Sequence, residues 1–401
     1  NGGELRTSTD YFRRDVDSDI RAQLGFERFA STTKLQGEDK QTRIRIASEY
    51  TLPVFDWLDY ASLNVYWQEN KTDQFTDQYR SSRGAPVFLQ RDFFLNERNW
   101  GSEFKIRQDL STGRLTHILV AGVEWNRQQL RERRDAEQTN RISGIATKTI
   151  IGETFPLRDL PLSTTDKVGV FLQDEILLGA FTLIPALRWE HFNLNAKTDT
   201  IFTDNTRLTD LKSNDLTFRL GATWRLSDYF SIYGHYAEGF RAPPAEDVNL
   251  FLDITLFNFR ALPNPDLKPE SSRNLEAGFR FQWQGTAVTA GAYHSRYDNF
   301  IESRALIGVD PLSGTLLFQS RNLAEATIYG VEANISQALG DFHDALSQWH
   351  VDAGMHWAHG NNDVTGRALN TVSPLKAVVG LRWDSAHLPL AAELRMTHYG
   401  R

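Results

Sequence analysis

Apolar and polar residues alternate along almost the whole of this 401-residue chain. In residues 216–226 the apolar side chains Leu, Phe, Leu, Ala, Trp and Leu fall on one face, and Thr, Arg, Gly, Thr and Arg fall on the other. A period of two is the pattern of a β-strand with one apolar face. A segment of this length is also enough for a tilted strand to cross a bilayer. The alternation therefore predicts an all-β chain built from long strands.

We count about fifteen strand-like segments of this kind, too many for a small barrel and fitting part of a larger antiparallel transmembrane barrel. An odd count does not close a bacterial single-chain barrel, which implies missing or miscounted strands. The segments lie near 19–29, 41–50, 59–69, 98–109, 115–129, 166–177, 180–194, 214–226, 229–239, 272–284, 286–301, 323–337, 349–359, 374–384 and 389–398.

Short and long connections alternate between these segments. Outer-membrane barrels show the same asymmetry, with short periplasmic turns and long extracellular loops. Short turns are predicted at Leu178-Gly179, Ser227-Asp228, Gln284-Gly285 and Ser385–Leu388, with a somewhat longer one at Leu339–Ser347. Long polar loops are predicted at 70–98, 130–165, 195–213, 240–270, 302–320 and 360–373.

The composition limits the other classes. The chain has no cysteine, which excludes disulfide frameworks, cysteine metal sites and thiol nucleophiles. The net charge of −7 argues against a nucleic-acid partner. A mean hydropathy of −0.44 and 24% charged residues, without an apolar run near the length of a membrane helix, exclude a transmembrane helix. A transmembrane barrel stays open, because its strands bury only alternate residues in lipid.

A soluble all-β binding or structural protein is the rival interpretation, because alternation alone does not say which face meets water. A propeller would show a periodic repeat, and a sandwich would have shorter strands. Strand length, loop asymmetry and aromatic residues near the strand ends favour the membrane barrel. These aromatic residues are Trp189, Trp224, Tyr229, Trp283, Trp349 and Trp383.

No catalytic constellation stands out, so the chain is not predicted to be an enzyme. The ten histidines are scattered, and no zinc-protease, serine-hydrolase or nucleotide-binding motif is present. His356 and His359 come closest to metal-ligand spacing, but residues three apart on a strand point to opposite faces. We therefore predict no metal site and no resident cofactor.

Charged residues occupy the face of the strands that is predicted to line a lumen. They are either the ion-pair lining of a wet barrel interior or a wall against which a plug domain docks through polar contacts, and both alternatives require a lumen. These residues are Lys105, Arg107, Glu175, Arg188, Glu190, Arg219, Arg225, Glu276, Arg280, Arg382, Glu393 and Arg395.

The loop at 240–270 carries the best functional prediction. Proline cannot donate to a β-ladder, so Pro243-Pro244 ends one strand and Pro263, Pro265 and Pro269 fix the return to the next. An apolar loop of this kind usually marks a contact surface, although it can also pack on neighbouring loops or fold into the lumen as a local core. The apolar residues in it are Val248, Leu250, Phe251, Leu252, Ile254, Leu256, Phe257 and Phe259.

Two proline-marked boxes bracket this loop. The first lies in Tyr236–Pro244 and consists of Phe240, Arg241, Ala242 and Pro243; the second lies in Pro263–Glu270 and consists of Asn264, Pro265, Asp266 and Leu267. With Leu275-Glu276-Ala277-Gly278-Phe279 after them, they resemble the signature of TonB-dependent outer-membrane receptors, in the branch that takes up haem and haemoglobin. The Leu-Lys-Pro-Glu element also occurs in siderophore receptors, so a ferric-siderophore or other metal-chelate receptor is the alternative.

The resemblance implies a multi-pass 22-stranded barrel in the bacterial outer membrane, with an N-terminal plug domain and uptake driven by the TonB complex. On that basis 1–401 is expected to be a single but incomplete barrel domain, without the plug and the closing C-terminal strands. The implied partners are the TonB complex through the missing plug, the lipid bilayer, and haem or a haem protein outside the cell.

The ligand contacts predicted for the loop are Arg241, Phe251, Phe257, Phe259 and Arg260. Haem receptors of this type commonly place a His or Tyr between the two boxes, and this loop offers only phenylalanines there. Phenylalanine can stack on a porphyrin but cannot ligate iron. Haem is therefore expected as cargo, without an iron ligand from this loop.

Overall fold

Fifteen long antiparallel strands form one sheet in the computed structural model, which describes residues 2–52, 58–82, 84–202, 208–254, 258–369, 372–373 and 375–400. Each strand is hydrogen-bonded to the next in chain order. The strands are β1 Glu4–Asp19, β2 Thr32–Thr51, β3 Tyr60–Ser82, β4 Ala85–Thr112, β5 Leu115–Asn140, β6 Leu162–Leu178, β7 Phe181–Lys197, β8 Leu211–Arg225, β9 Phe230–Arg241, β10 Glu270–Trp283, β11 Thr286–Val309, β12 Leu316–Ala338, β13 Trp349–Asn362, β14 Leu375–Asp384 and β15 Ala391–Tyr399.

The predicted number of strands is confirmed, but the first one was misplaced. A strand was expected at 19–29, whereas β1 ends at Asp19 and a turn with the 3-10 helix Glu27–Phe29 follows. The spacing of apolar residues in this turn resembles the alternation of a strand. The chain reverses at Gly25, whose φ is +79°. The sequence does not predict β1, because charged and hydroxyl side chains dominate both of its faces and no apolar alternation is left.

Two of the predicted loops are largely strand. Residues 70–98 continue β3 as far as Ser82 and β4 from Ala85, and these two strands pair as a hairpin; 302–320 contains the end of β11 and the start of β12. β3, β4 and β5 have 23, 28 and 26 residues, more than twice what a tilted strand needs to cross a bilayer. Where both faces of a strand are wet, polar residues replace the alternation, and the sequence then reads as a loop.

The two faces of the sheet differ as predicted. Large apolar side chains are exposed on the face opposite the lumen, for example Val65, Val123, Leu172 and Leu216. The other face carries ion pairs such as Arg188 with Glu124, at 2.8 Å between Nη2 and Oε2. An exposed apolar surface of this extent is typical of lipid contact, and the polar face is typical of a wet lumen.

Several lumen tyrosines lie flat over a glycine of a neighbouring strand. Tyr66 covers Gly101, and Tyr293 of β11 covers Gly330 of β12 in the same way. An aromatic ring over a strand glycine fills the space that its missing side chain leaves. These pairs give the lumen wall a dense packing although it has little apolar core.

The described part of the chain contains no helix with the length and apolarity to span a membrane. Its one α-helix, α1, is the short segment Ala245–Asn249 in the loop between β9 and β10. Connections at the opposite end of the sheet are short, and the turns predicted at Leu178-Gly179 and Gln284-Gly285 are confirmed. The long connections therefore gather at one end, where the candidate site lies.

Candidate ligand site at the long-loop end

The loop between β9 and β10 has its own secondary structure. After Arg241 the chain passes Pro243 and Pro244 and enters α1. Two short strands, Leu252–Ile254 and Phe259–Leu262, then pair with each other, and the second also pairs in parallel with the start of β12. The described part of the loop is thus fastened to the barrel wall through Phe259–Leu262.

The base of the loop closes through residues of the first box. Arg241 Nη1 lies 3.1 Å from Glu270 Oε2, and Glu270 Oε1 accepts a hydrogen bond from the backbone N–H of Ile301 at 2.6 Å. Pro243 is fully buried, and Ala242 packs on an adjacent core cluster. The first box therefore holds the loop to β10 and β11.

The second box fastens the returning arm. Asn264 donates from Nδ2 to the backbone oxygen of Ser320 at 2.8 Å and from its backbone N–H to Val248 at 3.0 Å. Its Oδ1 accepts from the backbone N–H of Asp266, and Leu267 is buried in the cluster under α1. Pro265 and Asp266 themselves are exposed.

Part of the apolar loop is a local core, one of the alternatives that the sequence left open. Val248 is 1% exposed, and it packs with Leu267, Phe192, Leu194 and Ile301. Leu250, Phe251, Leu252, Ile254 and Phe259 are only half-buried. The first half of the loop therefore anchors it, and the second half remains available for contact.

Sequence reasoning missed the polar residues that fix α1. The side chain of Asp247 is 5% exposed; its Oδ1 accepts from Ser320 Oγ at 2.7 Å and its Oδ2 from Ser303 Oγ at 3.1 Å. Asn249 exchanges two hydrogen bonds of 2.9 Å with the backbone of Thr209. A signal was present, because Asp and Asn interrupt an apolar stretch where a solvated loop would not need them.

The predicted contact residues fall into two places. Arg241 lies at the base of the loop, where its side chain remains 58% exposed despite the pairing with Glu270. Phe251, Phe259 and Arg260 belong to the outer half, and Phe257 lies outside the described residues. The structure therefore does not bring all the predicted contacts to one point.

The outer half carries aromatic and ionic contacts of its own. Phe259 stacks on Phe318 with 4.6 Å between ring centroids. Arg260 pairs with Asp253 and with Asp310, each at 2.8 Å. Backbone N–H donors from Leu312 and Ser313, helped by Arg260, hold the pKa of Asp310 below its ordinary value. Arg260 therefore already has two carboxylate partners.

A cavity of about 770 Å³ lies between the loop and the lumen wall. Phe240, Leu250 and Leu252 line it from the loop, and Phe93 and Phe192 line it from the strands. Its charged residues are Glu97, Glu132, Asp159, Lys167, Glu190, Arg241, Glu246 and Arg304. The volume of the cavity and its aromatic and aliphatic residues are typical of small-molecule sites, and its eight charged side chains make it more polar than most such sites. None of the described lining residues is His, Tyr, Met or Cys, so this wall offers no usual iron ligand.

A buried charged cluster borders this cavity. Glu132 Oε2 accepts from the backbone N–H of Asp159 at 2.9 Å. Arg134 Nε lies 2.9 Å from Asp159 Oδ2, and Arg134 also pairs with Glu153. Burial raises the pKa of the Asp159 carboxyl to about 7; Arg134 opposes the rise, and Glu132 and Glu153 add to it.

A second cavity, of about 650 Å³, lies between the loop tips. Arg80, Phe29 and Phe155 line it, together with Asp253 and Ile254 of the loop. Arg80 donates to Gln138 Oε1 at 3.0 Å, while its buried Nε has no acceptor among the residues that the structure describes. The loop therefore separates the two cavities: the 770 Å³ cavity borders the lumen wall, and the 650 Å³ cavity lies among the outer hairpins.

The described residues hold no cluster of His, Cys, Asp or Glu that fits a metal ion. His356 Nε2 lies 3.0 Å from the hydroxyl of Tyr293 on the lumen face. His359 packs against Tyr329 and Trp357 on the other face. The expectation that these two histidines point to opposite faces is confirmed.

Comparison with known proteins agrees with this architecture. An alignment of 192 positions, which covers 45% of this chain and 19% of the relative, is 27% identical to a probable hemoglobin and hemoglobin-haptoglobin-binding protein of Haemophilus influenzae. The copper transporter OprC superposes with a TM-score of 0.64 at 17% identity, over 95% of this chain and 57% of that chain.

The Serratia marcescens hemophore receptor HasR, solved with its hemophore HasA and heme, has a TM-score of 0.57 at 13% identity, over 88% of this chain and 62% of that one. At such identities these structures show the fold alone. The family model for the β-barrel of TonB-dependent receptor-like proteins matches residues 1–401. The chain therefore belongs to the TonB-dependent receptor family, as part of its β-barrel.

Proposed function

We propose that this chain forms the barrel wall of a bacterial outer-membrane receptor that imports haem, taken from haemoglobin or another haem protein. We also propose that 1–401 is one barrel domain, a transporter rather than an enzyme, and that the TonB complex drives uptake through a plug domain. The exposed apolar outer face supports the membrane location.

The observation that carries the proposal is the fastened loop with the 770 Å³ cavity beneath it. Aromatic and aliphatic walls suit a flat apolar macrocycle, and Arg241, Lys167 and Arg304 suit its carboxylate groups. Relatives named for haemoglobin binding match this chain, which supports haem or a haem protein as the ligand.

Within this proposal the two places have different tasks. Arg241 at the loop base contacts the haem, together with the cavity wall. Phe251, Phe259 and Arg260, and Phe257 between them in sequence, contact the incoming haem protein. The outer residues suit that task because aromatic side chains and arginine dominate protein contact energies.

Titration of haemin into the full-length protein in detergent micelles tests the haem assignment. We expect a change in the Soret band that saturates at micromolar haemin or below. A protein that gives no such change, yet rescues iron-starved cells with a ferric siderophore, is a metal-chelate receptor instead. That alternative has one observation in its favour, because a chelate brings its own iron ligands and the described cavity wall has no His, Tyr, Met or Cys to ligate haem iron.

A further inference from the structure

The outward face of strands β1 to β5 changes character along their length. One row of cross-strand partners, which we call the tryptophan row, closes the apolar band: Thr9, Ile46, Trp67, Trp100 and Arg127. Four residues further along each strand lies a second row, the basic row, without a carboxylate: Arg13, Thr42, Lys71, Asn96 and Arg131.

The height of the basic row follows from strand geometry. Four residues span about 13 Å along a strand, which becomes about 10 Å across the membrane at the usual barrel tilt. Tryptophan marks the boundary between hydrocarbon and headgroups, and the headgroup layer is roughly 5–8 Å thick on each side. The basic row therefore lies at or just beyond the outer edge of the headgroup layer, from where long arginine and lysine side chains can reach back to the headgroups.

Neighbouring outward cations have carboxylate partners. Arg98 pairs with Glu69 at 2.6 Å and Arg127 with Asp166 at 2.7 Å. Across the sheet, Arg296 pairs with Glu325 at 2.5 Å. Within the described part of the chain, neither Arg131 nor its neighbour Arg133 forms an ion pair, and both are exposed. Two adjacent guanidinium groups in one sector of the wall thus form no ion pair among the described residues, although the Asp92 carboxylate lies close enough to interact electrostatically with Arg133.

These two arginines border a groove of about 270 Å³. Phe94 forms part of the groove, and the Arg133 guanidinium lies 4.4 Å from its ring centroid, which holds that group in place. Lys71 adds a third cation, partly neutralised by Glu69 at 3.1 Å, and Asp73 is a carboxylate in the wall. The residues that line the groove include four cations, Lys71, Arg131, Arg133 and Arg158, and two carboxylates, Asp73 and Glu132, so their summed charge is positive.

We propose that this groove binds the phosphorylated headgroup of a lipid in the leaflet that surrounds the barrel. A guanidinium group pairs with phosphate oxygens through two parallel hydrogen bonds, and two arginines on one strand can grip one phosphate from both sides. The inference rests on the membrane location of the proposed function, but it does not depend on haem.

Native mass spectrometry of the full-length protein in detergent micelles tests the proposal, with phosphatidic acid and phosphatidylcholine of equal chain length as probes. We expect phosphatidic acid to bind in preference. The double variant Arg131→Gln/Arg133→Gln is expected to bind it about thirtyfold more weakly. The matched control, Arg114→Gln/Arg225→Gln, removes two exposed charges at the short-turn end and is expected to stay within about twofold of the wild type.

Each other outcome overturns the proposal. Equal loss in both double variants means that net charge, rather than the groove, attracts the lipid. No loss in the Arg131/Arg133 variant means that the groove is not the site. Displacement of phosphatidic acid by an equal concentration of inorganic phosphate means that the groove takes a free anion. Haemin titration of the same variants separates this result from the proposed function, since Soret changes are expected to persist in all of them.

Discussion

Arg241 and Glu270 are cross-strand partners whose side chains form an ion pair at the base of the functional loop. Arg241 ends β9 and belongs to the first box, and Glu270 begins β10 and ends the Leu-Lys-Pro-Glu element. The second oxygen of Glu270 accepts from the N–H of Ile301 in β11. One buried carboxylate therefore joins both arms of the loop to a third strand, which gives the two boxes a structural reason to occur together.

Replacement of Glu270 by alanine is expected to loosen the loop. The exposed Arg241 contributes little to the loss, and most of it comes from the Ile301 N–H, which is left without its acceptor. We expect the free energy of local opening to fall by about 2 kcal/mol. Hydrogen exchange of peptides from 242–269 measures this change.

Asp266→Ala is the matched control for the latch, by which we mean the contacts of Glu270 with Arg241 and with the Ile301 N–H. Asp266 is an exposed carboxylate on the same loop. Exchange in that variant should stay at the wild-type rate. Equal acceleration in both variants would mean that any lost carboxylate loosens the loop, and the latch would then have no special role.

The strands could be predicted because membrane and lumen impose opposite chemistry on alternate residues. Leu216, Phe218 and Leu220 show this directly, since all three belong to the outward face. Where the strands leave the membrane the constraint ends, and Asn70 or Gln90 no longer reveals a strand. For that reason the sequence predicts a loop at 70–98, where the structure has the outer part of the β3–β4 hairpin.

The site was predictable only in outline. Prolines and apolar residues located the loop, but its anchors depend on pairs far apart in sequence, such as Asp247 with Ser303 and Ser320. The pairing of Arg260 with Asp310 likewise joins two different loops. The alternation of apolar and polar residues within one segment cannot predict contacts between residues so far apart in sequence.

Gly330→Ala is expected to destabilise the barrel. A Cβ at this position would lie 2.6 Å from the hydroxyl of Tyr293 and against the backbone oxygen of Trp357, which cannot move without breaking the ladder. Overpacking of this kind costs about 2 kcal/mol. Thermal unfolding in detergent micelles should show a lower midpoint than in Gly380→Ala, where the nearest atoms are 3.8 Å away. Equal midpoints would mean that the tyrosine ring yields freely.

The loop cluster around Asp159 is expected to make stability depend on pH. Its carboxyl has a pKa of about 7 in the folded protein and an ordinary value of 3.8. The folded state therefore keeps a proton that the unfolded chain releases, so this contribution is full below pH 4 and is lost as the pH rises through 7. Asp159→Asn should flatten the fall in unfolding midpoint between about pH 4 and pH 7. An unchanged pH profile in that variant would assign the effect to other groups.

Phe240 and Phe259 are expected to affect different steps of uptake. Phe240 lines the cavity, so Phe240→Ala should weaken haemin binding about tenfold through the loss of one large aromatic contact. Phe259 stacks on Phe318 in the outer half, so Phe259→Ala should leave haemin binding within about twofold and reduce capture of haemoglobin. Haemin titration and haemoglobin capture on the same preparations measure both quantities. If Phe259→Ala weakens haemin binding as much as Phe240→Ala does, the cavity and the outer half form one site, and the division of tasks is wrong.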